Sequence, residues 1–180
     1  MPHKNLKNPV ILVGKVASVL AGVNWWYSIY PCGKKIEPNQ NDGFCPFCFT
    51  NCSDGLPRYH VKLFVAHSGG CNLFVFHDET LKYLLGKSCR SLLNGNQSFI
   101  LSEILEVDPN LYLSELIGRK LVLMVDPDIT DDFITHVGYH VFKSSNDPSL
   151  IKLFELAEKG AIMKKEHRCR STNQLLSSNS

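Results

Sequence analysis

The sequence has no apolar run close to the roughly 18 residues that a membrane-spanning helix requires. Residues 1–8 are predominantly polar, and the apolar stretch Val10–Val13 is too short for the hydrophobic part of a secretory signal. We therefore expect neither insertion into a membrane nor secretion.

A strong excess of charge of one sign is also lacking. The chain has 19 basic and 17 acidic side chains, a net charge of +2, so its total charge does not point to a polyanionic partner. The distribution is uneven, because basic residues concentrate in residues 1–40 and 159–170 and acidic residues in 101–140. A polyanion would be attracted to the first two regions and repelled by the third.

The usual signatures of enzymes are missing as well. There is no G-x-S-x-G nucleophile motif, no phosphate-binding P-loop, no dinucleotide-binding glycine pattern and no H-E-x-x-H metal pair. His136 and His140 are four residues apart, but on one face of a strand they would be about 13 Å apart, too far to share a metal. We expect a protein that is not an enzyme.

The 180 residues, 44% of them hydrophobic, can form one globular domain. We place it at residues 9–163, with tails at 1–8 and 164–180. Asp78 is suited to cap a helix that Gly86 ends, and the acidic stretch Asp126–Asp132 is typical of a solvated turn. The predicted strands are Val10–Val19, Asn24–Tyr30, Arg58–Ala66, Cys71–Phe76, Lys120–Val125 and His136–Phe142, and the main helices are Glu79–Leu85 and Pro148–Met163.

The order of these elements indicates a mainly β protein. Val10–Val19 and Asn24–Tyr30 are interpreted as two halves of one strand with a bend or bulge at Gly22, so the set has five strands. A helix between the third and fourth of five strands is the pattern of the OB-fold, a small Greek-key barrel. Residues 31–57 interrupt it with repeated proline and glycine, which indicates an inserted turn-rich module. Arg58–Ala66 alternates, so that Tyr59, Val61, Leu63 and Val65 share one face and His60, Lys62 and Phe64 the other.

Four of the seven cysteines fall within this module. Cys45 and Cys48 form a C-x-x-C pair that can bind one tetrahedral Zn²⁺, with Cys32 as a third ligand. Ile29 stands where a four-cysteine ribbon would have its first ligand, and Cys52 could supply the fourth, with His60 a more distant candidate. Zinc binding, a metal-free remnant of such a ribbon, and thiol chemistry all remain open. Because we expect no secretory signal, we also expect no framework of disulfide bonds.

Aromatic residues cluster beside basic ones at the edge of the module. Trp26, within Trp25-Trp26-Tyr27, precedes Lys34 and Lys35. An exposed ring beside a cation suits single-stranded nucleic acid, whose bases stack on the ring and whose phosphates meet the cation. The alternative is packing in the core, which we favour for Trp25 and Tyr27 and leave open for Trp26. The other candidates for the groove are His60, Lys62, Phe64 and Phe74, and for the two phenylalanines core packing is the favoured alternative.

The end of the chain offers two further features. Leu150, Leu153, Phe154 and Ala157 form an apolar stripe at helical spacing. The basic cluster Lys164–Arg170 is typical of a solvated helix end, with a nuclear-import signal or a phosphate contact as alternatives.

These residues occur in the order found in one family. The sequence resembles the C-terminal DNA-binding domain of the large subunit of replication protein A, especially its plant-type paralogues. The resemblance covers about residues 9–158. It rests on Asn24-Trp25-Trp26-Tyr27, Cys32-Gly33-Lys34-Lys35, Cys45-x-x-Cys48, Pro57-Arg58-Tyr59, Phe74-Val75-Phe76-His77-Asp78, Leu85-Gly86-Lys87-Ser88 and Leu116-Ile117-Gly118-Arg119-Lys120.

The resemblance implies a single OB-fold with an inserted zinc ribbon that binds single-stranded DNA with little sequence preference. It also implies a role in DNA replication, repair or recombination in the nucleus, and a C-terminal helix that assembles with replication protein A-like subunits. The family ribbon has two C-x-x-C pairs, whereas Ile29 replaces one cysteine here. The family subunit also has several OB domains in series, and a lone domain would bind more weakly.

Our leading hypothesis is therefore a domain that binds single-stranded DNA. Phosphates would contact Lys34, Lys35, Arg58 and Lys62, bases would stack on Trp26 and Phe74, and His60 would line the groove. The ligands for zinc would be Cys32, Cys45, Cys48 and Cys52. The rival hypothesis is a protein-interaction module that uses the 148–163 helix, and an enzyme using Cys45 and Cys48 is a distant third. The sequence does not distinguish DNA from RNA.

Overall fold

The computed structural model describes residues 9–20, 25–36, 44–51, 55–94, 113–132 and 137–159. Six strands lie in these ranges, together with the α-helices given below and the short 3₁₀ helix Ser114–Leu116. The strands are β1 (Val10–Val19), β2 (Trp26–Ile29), β3 (Leu56–His67), β4 (Gly70–His77), β5 (Lys120–Asp132) and β6 (Val137–Ser145). The helices are α1 (Asp78–Leu85), α2 (Cys89–Asn94) and α3 (148–159).

Five strands close into a barrel. They pair in the order β1-β5-β6-β4-β3, and β3 returns to pair with β1, so the ring has no free edge. All of these pairs are antiparallel except β4 with β6. The helices α1 and α2 lie between the third and fourth barrel strands, and β2 pairs with β3 outside the ring. The predicted OB-fold, with an inserted module and a C-terminal helix, is confirmed.

The two faces of β3 separate as its alternating pattern predicts. Tyr59, Val61, Leu63 and Val65 have no exposed surface, and they fill the barrel together with Phe74 and Phe76 from β4. Burying one such side chain contributes about 1.5–3 kcal/mol, so this layer is the main source of stability. The alternate residues of β3 point outward, because successive side chains of a strand lie on opposite faces.

Helix α1 begins differently from the prediction. Its first residue is Asp78, and the N-cap position belongs to His77, which makes no capping hydrogen bond through its side chain. The Asp78 carboxylate instead accepts hydrogen bonds from Arg58 Nη1 at 2.6 Å and from the backbone N–H of Tyr59 at 3.1 Å. The Asp78 carboxylate therefore binds two donors on β3 instead of capping the helix. The predicted end is confirmed, because Gly86 adopts the left-handed conformation with φ of 65°.

The predicted acidic turn is also wrong in part. Strand β5 continues to Asp132, and residues 126–129 bulge out of its pairing with β6 between Val125 and Thr130. Pro127 lies in this bulge. Because the bulge is outside the regular pairing, the lack of an N–H in proline costs no hydrogen bond between the strands. The Asp126 carboxylate is buried and accepts a hydrogen bond from the N–H of Asp128. The strand therefore tolerates the acidic residues because the bulge removes them from regular pairing.

Helix α3 packs on β1 and β5, starting at Pro148 as predicted. Lys120 Nζ donates to Glu155 Oε1 at 2.7 Å, and the backbone N–H of Val13 donates to Glu158 Oε1 at 3.4 Å. On the same helix Leu150 and Leu153 are exposed rather than packed. Of the predicted apolar stripe only Phe154 is half-buried. None of the described helices is both long and apolar enough to cross a bilayer.

Candidate nucleic-acid interface and cysteine cluster

A row of rings crosses the outer face of the barrel from β2 to β6. The Tyr27 ring meets the His60 ring edge-on, with centroids 6.2 Å apart, and His60 stacks on His77 at 5.5 Å. His77 Nε2 and His140 Nδ1 share a hydrogen bond of 2.9 Å. We call these four residues the ring row. Each of them is half-buried, so each is held by its neighbours and still presents surface to solvent.

Strand pairing produces this row. His60 lies directly opposite His77 in the antiparallel β3–β4 pair, and side chains of directly paired residues share a face. His140 pairs with Val75 of β4, two positions from His77. Tyr27 pairs with Arg58, which lies two residues before His60 and therefore on the same face of β3. Four strands thus each contribute one ring.

Cations flank the β2 end of the ring row. Lys35 Nζ lies 6.0 Å from the centre of the Tyr27 ring, and both Lys34 and Lys35 are exposed. Burial raises the pKa of Tyr27, with a smaller contribution from the Asp78 charge, so its phenol stays neutral. The Arg58 side chain is 38% exposed, and its guanidinium forms an ion pair with Asp78. This end of the row is therefore basic, and the charge of Arg58 is partly neutralised.

Two predicted platforms for bases lie on the other face. Phe74 is 1% exposed and contacts the His67 and Tyr139 rings, so no base can reach it and that prediction is wrong. Trp26 pairs with Tyr59, a residue of the barrel interior, and packs half-buried against the core. Trp26 and Phe74 thus face away from Lys62, which is itself only 8% exposed. Among the predicted groove residues, His60 is the one that the structure places within the ring row.

Tyr27, His77 and His140 are members of the row that the sequence did not identify. The sequence favours packing in the core for Tyr27, and for His140 it excludes only a metal shared with His136. The signal lies in strand register: once Tyr59 is assigned to the interior, its neighbours Arg58 and His60 must face outward. Trp25, predicted to be a core residue, is 4% exposed. His136 lies outside the described residues.

Three of the predicted metal ligands meet in the inserted module. The sulfur atoms of Cys32, Cys45 and Cys48 all lie within 4.8 Å of one another, and those of Cys32 and Cys45 are 3.5 Å apart. Four thiolates around Zn²⁺ at about 2.3 Å would be separated by roughly 3.8 Å, so these three donors fit such an ion. Cys52 lies outside the described residues. Ile29, which has no side-chain donor for a metal, forms an isolated bridge with Lys35.

Two tight turns present the three sulfurs. In the first turn, Gly33 adopts φ of 85° and its N–H donates to the carbonyl of Tyr30. In the second, the N–H of Cys45 donates to the carbonyl of Thr50. A hydrogen bond of 2.6 Å between Cys48 Sγ and Thr50 Oγ1 lowers the pKa of Cys48 to about 7. The lowered pKa of Cys48 favours the thiolate, which is the form of cysteine that binds a metal.

Comparison with known proteins supports the fold. No family model matches the chain, and no curated protein matches it in sequence. A chain from a structure of a replication protein A heterotrimer bound to single-stranded DNA matches with a TM-score of 0.60 and 18% identity, over 84% of this chain and 35% of that one. A chain of yeast RPA bound to single-stranded DNA matches with a TM-score of 0.59 and 15% identity, over 90% of each chain.

These matches confirm the resemblance at the level of fold. This chain spans about a third of the first solved chain and nearly all of the second. The similarity to a plant-type paralogue stays a prediction.

Proposed function

We propose that this chain binds single-stranded DNA along the ring row of its OB-fold, without catalysing a reaction. The observation that carries the proposal is the row itself, four rings aligned across four strands with cations at one end. Solved structures with this fold contain replication protein A bound to single-stranded DNA, which supports the same ligand here. DNA replication, repair or recombination in the nucleus is the setting that we propose.

Stacking and charge have separate tasks in this proposal. A base stacked on a protein ring contributes about 1–3 kcal/mol and shows little preference among bases, because every base has a flat face. Tyr27 and His60 provide such surfaces. Phosphates would be met by Lys34 and Lys35, and by Arg58 where its guanidinium extends beyond Asp78. The mainly buried Lys62 adds positive potential rather than a direct contact.

The test is fluorescence anisotropy with a labelled oligothymidylate at low salt. We expect saturable binding by the unmodified chain and weakening of about fivefold or more for His60→Ala, the loss of one stacking surface. His67→Ala is the matched control, because His67 lies on the same strand but on the face that carries Tyr59 and Leu63. Absence of saturable binding, or equal loss in both variants, would contradict the proposal. Competition with RNA of the same sequence distinguishes the two nucleic acids.

We propose that the cysteine cluster holds Zn²⁺ through Cys32, Cys45 and Cys48, with Cys52 as the fourth ligand. The ion would fix the two turns of the ribbon, as structural zinc does when it closes a tetrahedral site. The ion would be structural and would take part in no reaction. Metal analysis of protein purified without chelator should give about one zinc per chain. A chain that retains no metal would show that the ribbon is an empty remnant.

A second candidate function is assembly with other subunits through α3. The observation in its favour is that Leu150, Leu153 and Leu156 are 39%, 59% and 59% exposed on this helix. Apolar side chains grouped in this way are typical of an interface. Light scattering with replication protein A-like subunits should show a complex that Leu153→Glu abolishes. A complex that persists in this variant would exclude α3 as the interface.

A further inference from the structure

Three phenylalanines stand exposed on the ribbon, beside the cysteine cluster. Phe44, Phe47 and Phe49 have 42%, 60% and 77% of their surfaces in contact with solvent. The Phe44 and Phe49 rings meet edge-on at 6.3 Å, and Phe47 lies between them in the same short segment. We call these three residues, together with Lys34, the phenylalanine tip. Clustered exposed aromatic residues usually mark a site of interaction.

The local backbone forces these rings outward. The N–H of Phe49 donates to the carbonyl of Cys45, and Cys45 itself is fully buried. Phe49 adopts a positive φ of 55°, a conformation that is uncommon for a bulky residue. The segment that buries Cys45 thus leaves Phe44, Phe47 and Phe49 exposed.

Charge identifies the class of ligand that fits the tip. Lys34 Nζ lies 5.2 Å from the centre of the Phe47 ring, and Lys35 is its neighbour in sequence. Within the described ranges 31–36 and 44–51 there is no carboxylate side chain. The buried centres of protein–protein interfaces are depleted in lysine, whereas single-stranded nucleic acid requires both a ring and a cation. The combination favours a polynucleotide over an apolar protein surface.

The tip is also continuous with the ring row. Lys35 lies over Tyr27, the first ring of the row, while Lys34 lies over Phe47. The Tyr30 hydroxyl, just after β2, donates to the carbonyl of Phe44 at 3.1 Å and so ties the ribbon to the end of that strand. A nucleic acid that passes Tyr27 meets two adjacent lysines and then the exposed rings.

We infer that the phenylalanine tip is a second stacking site for unpaired bases, on which single-stranded nucleic acid continues after it leaves the ring row. The inference rests on the proposed function, because it extends the same bound strand. It adds contacts that the sheet alone does not provide. A chain with one OB-fold would gain affinity from them, since two linked contacts on one strand reinforce each other.

The test compares two double variants in the anisotropy assay. Phe47→Leu with Phe49→Leu keeps apolar side chains but removes the rings, whereas Phe47→Tyr with Phe49→Tyr keeps them. With an oligothymidylate of about 16 nucleotides, the upper end of the range for one OB-fold, we expect the leucine pair to weaken binding about tenfold or more. The tyrosine pair should bind within about twofold of the unmodified chain. Both pairs must first match its zinc content and melting temperature.

A second measurement keeps the inference testable if the leucine pair fails to fold. Phe47→Trp places a fluorescent ring at the tip, and its emission should be quenched on titration with oligothymidylate beyond the change seen with the native Trp25 and Trp26. Equal binding by the leucine and tyrosine pairs, or no additional quenching, would overturn the inference while leaving the ring row in place. The same results would be obtained if the tip bound a protein instead of a nucleic acid. If the unmodified chain binds no oligonucleotide, the proposed function fails first.

Discussion

The ring row and the phenylalanine tip expose aromatic side chains by different physical means. Strand pairing fixes the row: three of its rings come from strands of the closed barrel and the fourth from β2, which pairs with β3, and each is half-buried. The tip is fixed by one short turn, and its rings are up to 77% exposed. The barrel holds its surface through long-range packing, whereas the ribbon depends on a few backbone hydrogen bonds and three sulfurs. The two regions should therefore respond differently to the same treatment.

Removal of the metal should produce the largest difference between the responses of the ribbon and the barrel. The apparent binding energy of zinc in small ribbons is about 10–16 kcal/mol, and most of it is folding energy of the ribbon. We expect a strong chelator, or Cys45→Ser, to eliminate the contribution of the tip to oligonucleotide binding. The barrel should keep its far-UV circular dichroism and its melting transition, because its core does not include the cluster.

Cys71→Ser is the matched control for that experiment, because Cys71 is exposed on β4 and lies outside the cluster. It should change neither the zinc content nor the melting transition. If chelation unfolded barrel and ribbon in one step, the two regions would form a single cooperative unit and the contrast between them would be false.

Thiol reactivity should differ by several orders of magnitude between Cys48 in the ribbon and Cys89, which is buried in the core of the barrel domain. Burial, with a smaller contribution from the Asp78 charge, raises the pKa of Cys89 in α2 to about 12, whereas that of Cys48 is about 7. A raised pKa favours the thiol, so at pH 8 about one Cys89 side chain in ten thousand is ionised, against about nine in ten for Cys48.

The measurement is alkylation of metal-depleted protein by iodoacetamide, followed residue by residue with mass spectrometry. We expect rapid modification of Cys48 and protection of Cys89 until denaturant unfolds the barrel. The exposed Cys71 serves as an internal reference for an accessible thiol. Modification of Cys89 in the folded protein at a rate similar to that of Cys71 would mean that the barrel opens readily.

Removal of an aromatic ring should lower the free energy of unfolding strongly when the ring lies in the barrel, and hardly at all when it lies on the ribbon. Phe76 has no exposed surface, so Phe76→Ala should lower the free energy of unfolding by about 3–5 kcal/mol. Phe47 is 60% exposed, and Phe47→Ala should change it by about 0.5 kcal/mol or less. Denaturant titration followed by circular dichroism measures both. Similar losses in the two variants would show that the tip is packed against the barrel in solution.

The parts of this contrast that could be predicted from sequence are those with a local pattern. Alternation along β3 separated Tyr59 and Val61 from His60 and Lys62 correctly, because a strand has a period of two. The C-x-x-C spacing identified Cys45 and Cys48 for a similar reason, since two thiols on one tight turn converge whatever the rest of the fold does.

The remaining features depend on contacts that no local pattern encodes. Trp25, Trp26 and Tyr27 are all aromatic, so alternation could not show which of them faces outward. The pairing of Trp26 with Tyr59 decides it. The ring row joins residues 27 and 140 through the parallel β4–β6 pair, at a separation in sequence that only the closed barrel brings together. Asp78 had two donors on β3 that could not be foreseen from its position before a helix.

The smallest effect that we expect distinguishes charge from stacking. Each phosphate contact to a single strand contributes about 0.7 to the slope of log affinity against log salt concentration. Lys34→Gln with Lys35→Gln should therefore reduce that slope by up to about 1.4. His60→Ala should lower affinity by a similar factor at every salt concentration, because a stacked ring releases no counterions. The measurement is anisotropy across a salt series at pH 8, where histidine is ordinarily neutral. A slope that changes equally in both variants would assign the ring row an electrostatic role and remove the distinction between the barrel surface and the ribbon.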